Sequence, residues 1–198
     1  MRKGAQLLMA ALFAVGVAAC DRSADNRAGT QGAAGTSGSE SSLGMGERNF
    51  VQDQLKDVTR EVELGRLAQQ QATSPDVRQF GSMMVEDHTR AGNQLREVAQ
   101  RANVEIEHDT EAARDDREKL SKLSGAEFDR EYIDMMVKDH QDAVDALKGK
   151  AEDAENPGVK QWASATLPRV QHHLELAQQL QERLKSETGN SASRPQGQ

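Results

Sequence analysis

The chain has 198 residues, with 25 Lys and Arg against 32 Asp and Glu, a formal charge of −7, 36% hydrophobic residues and 3% aromatic ones. The acidic balance excludes a nucleic-acid binder, which carries a basic face, and four Phe, one Trp and one Tyr are too few for a β-sandwich. A single cysteine excludes an intramolecular disulfide and a cysteine-only zinc site, which leaves a small acidic helical protein.

Residues 1–19 read as a lipoprotein signal peptide. Arg2 and Lys3 form a basic start, and Ala5 to Ala19 is an apolar run too short for a spanning helix of about 20 residues. Val17-Ala18-Ala19-Cys20 resembles a bacterial lipobox, in which cleavage before Cys20 frees a thiol and an amine for acylation. Two or more acyl chains anchor a protein stably to a membrane. Asp21 resembles an inner-membrane retention signal. Residues 20–46, rich in Gly, Ser and Ala, read as a flexible tether with a reach of about 25–30 Å. The folded part is expected over 47–186, with a loose tail over 187–198.

Apolar spacing predicts four long helices near 48–73, 76–102, 126–154 and 158–186. The first carries Val51, Leu55, Val58, Val62, Gly65 and Ala72 on one stripe, with Glu61 at its edge. Thr73-Ser74-Pro75 ends it, with Ser74 placed to cap the second helix and Pro75 in the first turn. The second carries Phe80, Met84, His88 and Leu95; the third Phe128, Tyr132, Met136, His140 and Leu147. Asn156-Pro157 opens the fourth, with Trp162, Val170, His173, Ala177 and Leu184 on its stripe; Pro168 is expected to kink it. A short amphipathic helix is expected over 110–123. An internal repeat supports the parse: the segment from Arg78 to His88 aligns with that from Arg130 to His140, placing both histidines in the same register.

Four motifs in order then carry a resemblance. Glu61-Val62-Glu63-Leu64-Gly65-Arg66-Leu67-Ala68, Met84-Val85-Glu86-Asp87-His88-Thr89, Phe128-Asp129-Arg130-Glu131-Tyr132, and Thr166-Leu167-Pro168 with His173-Leu174 resemble the domain-of-unknown-function 4142 family over about residues 48 to 182. The resemblance implies an all-α, ferritin-like four-helix bundle and a place in the bacterial envelope, on its periplasmic side. The family is often described as an outer membrane protein, whereas Asp21 favours the inner membrane.

Glu61, His88, His140 and His173 each lie within about one residue of a helix midpoint. Midpoints face one another whichever way the helices run, and at 1.5 Å rise per residue all four fall in one layer. Three imidazoles and a carboxylate form a candidate site for a transition metal such as zinc or copper. The same residues also suit a hydrogen-bonded polar layer that fixes helix register. A di-iron centre is not expected: that chemistry uses Glu-x-x-His, and the residues three before the histidines are Val85, Val137 and Val170. Met84 and Met136 share a face with His88 and His140 and would suit copper or plain core packing. Asp87 and Asp139 point about 100° away from their neighbouring histidines, to orient another imidazole or to pair with arginines across helices. His108 and His172 receive no role. No phosphate loop, nucleophile elbow or Ser/His/Asp set is visible, so an enzyme is not expected. Two functions remain: a tethered envelope protein acting on a partner through its helical surface, in stress resistance or envelope organisation, or a metal-binding lipoprotein.

Overall fold

The computed structural model describes residues 42–106 and 111–192. The signal segment, Cys20, Asp21, most of the tether, His108 and residues 193–198 lie outside the described residues. Five helices follow in order: α1 (Met45–Gln71), α2 (Pro75–Arg101), α3 (Glu111–Ser121), α4 (Gly125–Asp153) and α5 (Pro157–Ala192). The described residues contain no strand, and none of their helices is long and apolar enough to cross a membrane.

Both ends of the fold reach further than the apolar pattern suggested. Leu43, within the stretch read as tether, is buried against the core, and α1 starts at Met45. A single leucine in a Gly- and Ser-rich run gives no periodic signal, yet it covers the end of the bundle. At the other end α5 continues through Ala192 rather than stopping near Ser186. Each further residue adds one helical hydrogen bond without a new nucleation cost, so a helix can run on past a buried side chain such as Leu184. The helix also runs through Pro168, whose missing N–H leaves the Ser164 carbonyl without a helical partner.

The helix directions follow from two long-range caps. Ser74 makes no capping bond with its own side chain. Instead Asp129, in the first turns of α4, accepts the amides of Thr73 at 3.0 Å and Ser74 at 2.8 Å. The start of α4 therefore lies beside the α1–α2 bend. At the opposite end Glu47 of α1 accepts the buried amide of Asn156 at 2.9 Å, in the α4–α5 bend. The Asn156 side chain in turn caps α5 through the amides of Gly158 and Val159. Thus α1 and α2 form one antiparallel hairpin and α4 and α5 another. The connection between them crosses the length of the bundle and contains α3, packed mainly on α1. Asn103, in the left-handed region at φ 53°, turns the chain out of α2, with Val104 N–H donating to Ala99 O at 2.9 Å.

The apolar interior falls into two clusters. One contains Val51, Leu55, Leu95, Leu147 and Trp162, and the other Leu64, Phe80, Met84, Phe128 and Tyr132. Between them, at one height on the four long helices, lie Glu61, His88, His140 and His173, all buried. On α1 the buried stripe passes through Glu61, and Val62 is half-buried. The carboxylate is central where the pattern placed it at an edge, because hydropathy alone assigns a Glu to solvent.

The two helices of the first hairpin meet at glycine. A Cβ on Gly81 would stand 2.8 Å from Gly65 O and 2.9 Å from Ala68 Cβ, and one on Gly65 would meet Gly81 O at 2.8 Å. Gly81→Ala gains about 1 kcal/mol of helix propensity. It forces backbone against backbone, and overpacking of this kind costs about 1–3 kcal/mol. A net loss of stability is expected in urea unfolding of the variant, and an unchanged midpoint would show that the helices separate freely.

Candidate metal centre

Each of the three imidazoles comes from a different helix: His88 from α2, His140 from α4 and His173 from α5. Their ring centroids form a near-equilateral triangle, 5.5 Å between His88 and His140, 5.3 Å between His88 and His173, and 5.5 Å between His140 and His173. One ring nitrogen from each lies within 4.8 Å of the other two.

The outward nitrogen of every ring meets an acceptor. His140 Nδ1 donates to the Met136 carbonyl at 2.9 Å. His173 Nε2 donates to Asp87 Oδ2 at 3.0 Å. His88 Nδ1 stands 2.8 Å from Glu61 Oε2, a contact whose angle falls outside good hydrogen-bond geometry but whose closeness makes it electrostatically strong. A carbonyl and two ionised carboxylates can only accept, so the protons sit on these outward nitrogens. The opposite nitrogens, Nε2 of His140 and Nδ1 of His173, then carry lone pairs, as does Nε2 of His88 whenever that ring is neutral, and all three are buried without a hydrogen-bond partner. Three buried acceptors without a donor from the protein are costly. A hydrogen-bonded polar layer would satisfy them with a donor, whereas a cation satisfies all three together.

Electrostatics follow the same division. Burial pushes the Glu61 carboxyl up, but the imidazoles of His88 and His140, with Arg60, outweigh it and hold the group at about 2. Burial works against protonation of His88, yet the adjacent Glu61 carboxylate prevails and raises it. For His140 burial and the neighbouring His88 win over Glu61 and lower it. His173 is lowered to about 4, again by burial first, against the hydrogen bond to Asp87 and with both other rings opposing its charge.

The structure thus brings His88, His140 and His173 together and sets Glu61 against His88, the place that a hydrogen-bonded polar layer gives it. Glu61 is not a member of the cluster whose nitrogens converge; it lies behind His88 and 3.7 Å from His140 Nδ1. Helix height placed it correctly, but which side of a ring a carboxylate takes depends on helix rotation, which height does not fix. The two aspartates of the repeat also part company. Asp87 orients His173 and is bridged by Arg169, whose Nη1 lies 3.0 Å from both carboxylate oxygens. Asp139 touches no imidazole and pairs with Arg60 Nη2 at 2.6 Å, while Arg60 Nη1 reaches Asp116 of α3 at 2.7 Å. Met84 and Met136 are fully buried in an apolar cluster, and His172 is exposed. Sequence reasoning missed Arg169, although its position four residues before His173 puts both on one face of α5. It also missed the Tyr132 hydroxyl, buried without a partner and pushed upward by burial and by Glu61.

The family model of a domain of unknown function, DUF4142, matches residues 32–180. No curated protein and no solved structure matches the chain.

Proposed function

The chain belongs to the DUF4142 family, a domain of unknown function, and we propose that it is a membrane-tethered envelope protein that binds one divalent transition-metal ion through His88, His140 and His173. The observation that carries this reading is that each of the three rings brings a nitrogen within 4.8 Å of the other two and each keeps a buried ring nitrogen without a hydrogen-bond partner, while a carboxylate or carbonyl meets another nitrogen of the ring. That is how proteins fix the tautomer of metal-bound histidine. Three neutral imidazoles suit zinc and Cu²⁺ and leave a further coordination position open. The protein acts by holding the ion rather than by turnover. Its bundle is ferritin-like in topology, as the directions of the two hairpins suggest, but carries a mononuclear site in place of a carboxylate-bridged pair. Acylated Cys20 tethers it to the periplasmic face, of the inner membrane by Asp21 or else of the outer membrane. The exposed helix faces then remain available to an envelope partner.

Titration of the metal-free protein with Zn²⁺ or Cu²⁺ against a chromophoric chelator tests the reading. One ion per chain is expected. His140 and His173 are neutral at pH 7 because burial lowers them, whereas Glu61 raises His88. A metal must displace the His88 proton, so affinity falls with acidification from above about 6.5, the ordinary imidazole value, and falls further below it. Binding that does not weaken between pH 8 and pH 5.5, or no binding of either ion, overturns the assignment.

A further inference from the structure

The triad is buried, so an ion needs a way in. Between α1, α4 and α5 lies a cavity of about 360 Å³ whose walls include Asp57, Glu61, His88, Asp139, Asp142 and Trp162. Two cations also face it, and both are engaged: Arg60 by Asp116 and Asp139, and Lys138 by Asp142 at 2.9 Å. Glu61 is held by His88. Asp57, one turn before Glu61 on the same face of α1, takes among the described residues an amide hydrogen bond from Gln54 Nε2 at 3.3 Å and no ion pair. Asp57 remains exposed to solvent; its carboxyl is pushed up, first by the protein crowding out water on its cavity side and then by Glu61, with Asp139 and Asp53 adding to the repulsion and Arg60 opposing it. A cation beside Asp57 relieves that repulsion. An independent feature points the same way: His88 is 7% exposed, faces this cavity and keeps Nε2 unpartnered. The acidic wall and a triad ring therefore share one space.

We propose that this cavity is the route by which a divalent transition-metal ion reaches the triad, and that Asp57 is the carboxylate that captures it on the way. The proposal rests on the metal-binding reading above. A hydrated dication entering the cavity exchanges part of its water for Asp57 oxygen. It then passes Glu61, one helical turn further in, and meets the nitrogen of His88. The imidazoles bind zinc or copper more tightly than a single carboxylate does, so transfer runs inward. Acidic clefts raise the local concentration of cations and their association rates by about 10–10³-fold.

The test is stopped-flow loading of the metal-free full chain in detergent with Zn²⁺, compared with its equilibrium titration. Asp57→Asn is expected to slow association about tenfold. Stoichiometry and dissociation constant stay as in wild type, and dissociation slows in parallel, because a route serves both directions. Ala146→Trp, at an exposed position on the cavity wall, is expected to slow loading by obstruction without changing charge. Wild-type rates in Asp57→Asn overturn the role of Asp57, and wild-type rates in Ala146→Trp overturn the route. If wild type itself binds no Zn²⁺, the metal reading fails and takes this proposal with it, an outcome distinct from the first two.

Discussion

Zn²⁺ at about a thousand times its dissociation constant raises the melting temperature of the wild-type chain by roughly 10 °C and leaves that of His140→Ala where it was. A ligand that binds only the folded state stabilises it by about 4 kcal/mol at that excess. Each kcal/mol moves the midpoint of a chain this size by about 2–4 °C. His140 is fully buried, so its removal leaves a cavity and lowers the metal-free midpoint whether or not it is a ligand. The informative quantity is therefore the shift caused by metal within each protein. Equal shifts in both, or none in wild type, would mean that the three rings serve packing alone.

Asp87→Ala weakens metal binding by about 10–100-fold, the usual effect of removing the group behind a ligating histidine, while Asp139→Ala leaves the dissociation constant unchanged. The two aspartates occupy the same position in the internal repeat, each immediately before a histidine. Their surroundings differ. Asp87 accepts from His173 Nε2 and fixes which nitrogen of that ring faces the triad. Asp139 spends its charge on Arg60, tying α4 to α1 and, through Asp116, to α3. Loss of Asp139 is expected to lower stability without touching the triad. Isothermal titration of both variants separates the roles, and equal weakening in the two would place the effect in general electrostatics rather than in ring orientation.

Much of this architecture was legible in the sequence because a helix repeats every 3.6 residues and a bundle aligns helix midpoints. Those two facts put His88, His140 and His173 in one layer before any coordinates. The resemblance through four short motifs led to the DUF4142 family, which the match over residues 32–180 establishes. Rotation about each helix axis was not legible. Glu61 was placed at the right height with ligand and hydrogen-bond acceptor both open, and Asp87 and Asp139 were treated alike. Which face of a ring each carboxylate meets is decided by packing among four helices, not by spacing along one. Asp57 carries no signal in the sequence and is an exposed charge in the fold. Only the sparse packing of α1 on α4, where α3 takes up much of the contact with α1, opens the space that gives it a role. Leu43 was hidden by its Gly- and Ser-rich neighbours, and Asp129 was part of a recognised motif with no hint that its carboxylate reaches the α1–α2 bend.

That reach has a consequence for how the molecule breathes. Amides in surface bends ordinarily exchange with solvent through small local openings. Those of Thr73 and Ser74 are bonded to Asp129, and that of Asn156 to Glu47, each acceptor belonging to the other hairpin. Each of these amides therefore gains protection from the opposite hairpin, and slow deuterium uptake at both ends of the bundle is the expected signature of the two hairpins holding each other.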